Sequence, residues 1–95
     1  MKLEKIIESP NKLKKWRAIF KDGDKTKHTD FGAKGMDDYT ISHNKEQRDR
    51  YRKRHAKDLK TDDPTRAGYL SYYILWGDST SLFANINSYK RKYNL

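Results

Sequence analysis

The order Lys15-Trp16-Arg17-Ala18-Ile19-Phe20 puts Trp16, Ala18 and Phe20 on one side of an extended chain and Lys15 and Arg17 on the other. A period of two predicts a half-buried strand. Asp22-Gly23-Asp24 follows as a hairpin turn in which glycine supplies a positive φ, and Thr26–Phe31 reads as a polar, β-branched return strand. Upstream, Leu3-Glu4-Lys5-Ile6-Ile7 is a short apolar-containing run stopped by Ser9-Pro10-Asn11, a strong turn signal. The first third of the chain therefore predicts two or three antiparallel strands.

The pattern turns helical at Asn44. Over Asn44–Leu59, Tyr51, His55 and Leu59 recur every four residues, with Ala56 beside them. Asn44 suits the N-cap, and Gln47 three residues later completes the Asn/Gln variant of a capping box. Glu46–Arg50 and Asp49–Lys53 are i, i+4 pairs in the favourable acid-first order. A second helix is predicted from about Pro64 to Trp76, with Asp63 as cap, proline at the first helical position and Gly77 as stop. It would set Ala67, Leu70, Ser71 and Ile74 on one face, Tyr69, Tyr72, Tyr73 and Trp76 on another, and Leu75 between. A strand also fits the ring-rich stretch Gly68–Trp76, because periodicity does not decide a short apolar run. In the last helix, Ser79–Tyr93, Ser79 or Ser81 is the cap and Leu82, Ile86, Tyr89 and Tyr93 share a face. The expected fold is α+β, a single domain over residues 1–95 with an N-terminal antiparallel two- to three-stranded sheet followed by about three helices.

Composition sharpens where burial must come from. A chain of 95 residues encloses a modest core. Only 34% of residues are hydrophobic but 13% are aromatic, so a few large rings must supply much of the buried surface. Gly68–Trp76 is an uncharged island holding three of the seven tyrosines and one of the two tryptophans. Trp16, Tyr69, Tyr72, Tyr73 and Trp76 are thus candidates for core or for an aromatic contact surface, since tyrosine and tryptophan are favoured anchors at interfaces. The absence of cysteine excludes a disulfide framework and a thiolate metal site. The longest apolar run, Tyr72–Trp76, falls far short of a membrane span, and MKLEKIIESP lacks the apolar centre of a signal peptide.

Charge adds a direction. A net charge of +9 attracts polyanions: nucleic acid, an anionic membrane face or an acidic protein surface. Residues 41–60 hold eight basic and three acidic side chains, whereas residues 61–95 are nearly neutral. Arg48, Arg50, Arg52, Lys53, Arg54 and Lys57 cover most of the Asn44–Leu59 helix outside its apolar stripe. They form a candidate surface for phosphate or carboxylate held by arginine forks. The plainer alternative is a solvated helix laced with ion pairs. Lys90, Arg91 and Lys92 have a structural explanation of their own, because cations in a last turn oppose the helix dipole.

Catalytic signals are weak. Gly32 and Gly35 flank Lys34, but the spacing is not that of a P-loop and no Lys-Ser or Lys-Thr pair follows. Asp30, Asp37 and Asp38 carry no divalent-metal ligand pattern. His28, His43 and His55 have no spacing that sets two on one helical face, and no serine sits in a nucleophile elbow. No catalytic residue, metal or cofactor is expected.

Several short elements occur in a distinctive order: Phe31-Gly32-Ala33-Lys34-Gly35, Asp38-Tyr39-Thr40, Arg50-Tyr51 with Arg54-His55, Ala67-Gly68, then Leu75-Trp76 before a final amphipathic helix. Over about Trp16–Tyr93 the chain resembles a family of small basic uncharacterised proteins of large DNA viruses of algae and amoebae. It departs from that family in a longer, more acidic Asp58–Pro64 loop. It also has tyrosines around Leu70–Tyr73, where relatives tend to carry a tryptophan and an arginine. The resemblance offers no catalytic residues. It implies a viral structural protein, a minor capsid-associated component that cements neighbouring capsid proteins through basic and aromatic surfaces. The alternative it leaves open is a packaged protein that binds DNA or RNA without sequence choice. Either role implies a location in the virion, or otherwise in the host cytoplasm or viral factory.

Overall fold

The alternating first third folds as a meander. The computed structural model describes residues Met1–Leu95. In it β1 (Lys2–Glu8), β2 (Lys14–Asp22) and β3 (Lys25–Ala33) form an antiparallel sheet in that order. Asp22 pairs with Lys25, so Gly23-Asp24 is a two-residue loop with Gly23 at φ 61°. A left-handed residue at the first loop position lets the turn follow the strand twist, and glycine takes it without penalty.

In β1 the register slips between Leu3 and Lys5, leaving Glu4 as a bulge. The extra residue brings Leu3 and Ile6, three apart, onto the same buried side, opposite Phe20 and Ala18. Ile7 is left 39% exposed on the other side. Leu3, Ala18, Phe20 and Phe31 are all buried, and Trp16 packs half-buried beside them.

Helices cover that side of the sheet. A single turn, α1 (Tyr39–Ser42), precedes α2 (Lys45–His55), which tightens into a 3-10 segment over Ala56–Thr61. Then α3 (Ala67–Leu70) widens into a π-turn over Ser71–Leu75, and α4 (Leu82–Lys92) closes the domain. The architecture is α+β, as the hydrophobic pattern predicts.

Several local expectations are corrected. The Asn44–Leu59 helix stays α-helical only to His55. Asn44 caps it by accepting from the Gln47 N–H at 3.0 Å, but the Asn44 N–H goes to Ser42 Oγ, so the capping box is one-sided. Neither Glu46–Arg50 nor Asp49–Lys53 forms an ion pair; Asp49 bonds its neighbour Arg48 instead. Asp63 does not start a helix, because its carboxylate accepts from both the backbone and the hydroxyl of Thr65 and makes a local turn. The helix begins three residues after Pro64, and Ser81 alone caps α4.

The π-turn has the largest consequence. The Trp76 N–H bonds the carbonyl of Ser71, five residues back, at 3.0 Å. One residue more per turn shifts the phase of everything after it. Ile74, Leu75 and Trp76 are consecutively buried, and Tyr69 joins Leu70 in the core. The split into a core face and a ring face therefore fails for Tyr69 and Trp76, while Tyr72 and Tyr73 remain half-buried.

Gly77 ends this segment for a steric reason, with no left-handed φ. A Cβ there would lie 2.2 Å from the Tyr73 carbonyl oxygen and 2.7 Å from Asn85 Cγ. Asn85, 3% exposed, donates to the Ile74 carbonyl at 2.9 Å and the Ser79 carbonyl at 2.7 Å, and accepts from the Ser79 N–H at 3.0 Å. It thereby supplies partners for backbone groups that the π-turn and the following loop leave without any.

Candidate polyanion-binding site

The six cations that the sequence places around one helix divide into two sets. Arg48 and Arg52 turn inward. Arg48 is 7% exposed, with its guanidinium 4.8 Å above the Tyr39 ring and hydrogen bonds to Asp49 and the Asp78 carbonyl. Arg52 donates to the Trp76 carbonyl at 2.7 Å and to the Asp78 carboxylate at 2.9 Å. These two tie α2 to the end of the π-turn, so they are corrected from surface ligands to structural ones.

Arg50, Lys53, Arg54 and Lys57 are exposed and take part in none of the seven ion pairs of the chain. Positions 50, 53 and 54 follow one face of α2, and Lys57 extends the stripe into the 3-10 segment. Four uncompensated charges along a fixed helical edge make a cationic rail, with arginine forks able to grip two oxygens of a phosphate or carboxylate.

Behind the rail, α2 is anchored by a stack of rings. Tyr51 lies between His55, with centroids 4.1 Å apart, and Trp76, 4.4 Å away and within 9° of parallel. Burial raises the Tyr51 phenol above its ordinary pKa, with the Asp58 carboxylate adding to the shift. His55 Nδ1 lies 3.1 Å from Asp58, which fixes the ring. Beside this stack a cleft of about 520 Å³ separates α2 from the end of the sheet. Lys14 enters it from β2, and Gln47 and Arg54 from α2. Gly32, at φ 80°, brings β3 so close to the π-turn that an added Cβ would meet Leu75 at 2.7 Å. Lys14 and Gln47 were not legible as partners in the sequence, because only the folded sheet brings the start of β2 alongside α2.

The remaining sequence candidates are accounted for elsewhere. Tyr69, Tyr73, Tyr89 and Tyr93 form one edge-to-face and tilted cluster with centroids 4.9–6.3 Å apart. Tyr72 meets its margin at Tyr73, and Lys92 lies 5.3 Å over the Tyr73 ring. The three aspartates do not converge. Asp30 pairs with Arg17 at 2.7 Å, Asp38 is buried against Lys15 at 2.6 Å while capping α1 through Thr40, and Asp37 stands exposed. No three His, Asp or Glu residues are grouped as a metal site. His43 ends α1 at φ 54°, and His28 is exposed on β3 opposite Ile19. No helix is long and apolar enough to cross a membrane.

The sheet, α1 and α2 together coincide with a recognised protein family. Residues 4–55 match a family of unknown function, DUF5754, and the chain belongs to it. The match begins in β1 and ends at the last residue of α2, so it contains Arg50, Lys53 and Arg54 but not the aromatic second half. No curated protein matches the chain. No solved structure matches it either.

Proposed function

We propose that this protein is a non-catalytic binding module that grips the phosphate backbone of nucleic acid through Arg50, Lys53, Arg54 and Lys57. One observation carries the reading: these four cations are exposed on one helical edge and none has an acidic partner within the chain. A cation with no internal partner gains most from an external anion, and a row of them matches a polymer of regularly spaced charges. The binding is without sequence choice, because backbone contacts carry no base information. The α+β scaffold holds the rail rigid, since α2 is fixed to the core by the Tyr51 stack and by Arg52.

A second reading keeps the same cations for carboxylates on a neighbouring protein, as in a minor capsid component of a large DNA virus. Its particular support is the end of the sheet that borders the cleft. There Leu13 and Met36 are 75% and 64% exposed, on loops joined by the Lys34 N–H to Leu13 carbonyl bond. Against it stand Tyr69 and Trp76, whose burial in the core removes two of the expected aromatic anchors. In either role the expected location is the virion, or otherwise the host cytoplasm or viral factory. Binding of a short oligonucleotide measured across salt concentrations tests the first reading. Co-purification with the capsid shell rather than the genome would favour the second.

A further inference from the structure

The cationic rail explains attraction to any polyanion but makes no use of the cleft beside it. That cleft, about 520 Å³, falls in the size range of small-ligand sites. Among its polar lining side chains, Lys14 from β2, Gln47 and Arg54 from α2, and the exposed Asp37 make no hydrogen bond within the chain. Gln47 is half-buried, and its amide presents two donors and an acceptor toward the cleft without an internal partner. The aromatic lining comes from the Trp76–Tyr51–His55 stack, whose last ring is 38% exposed. Rings, a free amide and two free cations, set against the one free carboxylate of Asp37, match a planar polar ring that carries an adjacent anion.

We infer that the cleft seats an unpaired base of single-stranded nucleic acid. The Gln47 amide bonds the base edge, the ring stack packs against its face, and Arg54 and Lys14 hold the flanking phosphate. The strand then continues along Arg50, Lys53 and Lys57. This rests on the nucleic-acid reading above and narrows it to single strands, because a base within a duplex has its faces covered by its neighbours and cannot enter a side cleft. Stacking tolerates any base, so a pocket of this kind adds affinity with little sequence choice.

Gln47 is the only glutamine in the chain, so its side-chain amide, once assigned apart from the five asparagine amides, is a single reporter of the cleft. The experiment titrates the nitrogen-labelled full chain with a short oligothymidylate, with a duplex of equal length and with an acidic peptide. Affinities are measured by fluorescence anisotropy at matched salt. The expected result is a Gln47 amide shift on adding single strand but not duplex, with single strand bound about tenfold tighter. Lys14→Ala combined with Gln47→Ala brings the ratio of the two affinities toward one. Arg50→Ala combined with Lys53→Ala lowers both affinities and keeps the ratio. Melting temperatures of the variants establish that they fold. Equal, salt-sensitive binding of both forms with an unmoved Gln47 amide overturns this inference and leaves the phosphate-binding reading standing. A Gln47 shift with the acidic peptide alone assigns the cleft to carboxylates and overturns it too. Binding of neither nucleic acid overturns both.

Discussion

Arg52 donates through Nε to the main-chain carbonyl of Trp76 at 2.7 Å, so a side chain that the sequence offers to a ligand instead closes the end of the π-turn. A carbonyl at the end of a helical segment needs such a partner, and a charged donor makes the bond stronger than a neutral one. Replacing Arg52 with alanine should destabilise the fold by about 1.5–3 kcal/mol, while Arg50→Ala stays within about 0.5 kcal/mol. Urea unfolding of the two variants side by side checks the division between structural and free arginines.

Lys15 and Asp38 form the most deeply enclosed ion pair, 12% and 2% exposed at their side chains and 2.6 Å apart. Removing one partner leaves a buried charge without compensation. Asp38→Ala also removes the α1 cap at Thr40, and should cost about 3–5 kcal/mol. Thermal and urea unfolding measure it.

Gly77→Ala should be among the most damaging single-methyl additions, because the Tyr73 carbonyl 2.2 Å from the new Cβ is main chain and cannot rotate away. Overpacking of this kind costs about 1–3 kcal/mol, and here the upper end is expected. Gly35→Ala, with nothing within 4 Å of its Cβ position, meets only the penalty of its φ of 85°. Comparing their urea midpoints separates steric from conformational cost.

Stability should fall at both ends of the pH scale. Hydrogen bonds from Arg17, Thr65 and Arg52 hold Asp30, Asp63 and Asp78 below the ordinary carboxylate value. A lowered folded pKa stabilises above the unfolded value, near pH 4, and the contribution is lost as pH falls through the folded one. These carboxylates are partly or largely exposed, so the acid effect is modest. Burial raises the Tyr51, Tyr89 and Tyr93 phenols. A raised phenol stabilises below its unfolded value, near pH 10, and that contribution is lost as pH climbs beyond it. Melting temperature against pH should be flat between the two limits. Tyrosinate absorbance should develop late, with unfolding.

How far the fold is legible varies along the chain for physical reasons. Trp16, Ala18, Phe20 and Gly23 reveal β2 and its hairpin because a strand and a two-residue turn are set by near neighbours. The Asn44 cap reveals α2 for the same reason. Leu3 and Ile6 read poorly, since the Glu4 bulge that aligns them exists only against β2. Trp76 reads wrongly because nothing local signals a π-turn. The turn is held by Arg52 at the Trp76 carbonyl and by Asn85 at the Ile74 carbonyl, across 24 and 11 positions of sequence. The rail was legible as charge, but which two of its six members turn inward was decided by Tyr39 and by the loop after the π-turn.

The salt dependence of oligonucleotide binding tests the central claim most directly. Four phosphate contacts predict a slope of log affinity against log salt of about −3 for a single strand. Alanine at Arg50, Lys53, Arg54 and Lys57 together should remove most of the slope and leave the melting temperature nearly unchanged. Binding that ignores salt, or that survives in the fourfold variant, would contradict the account.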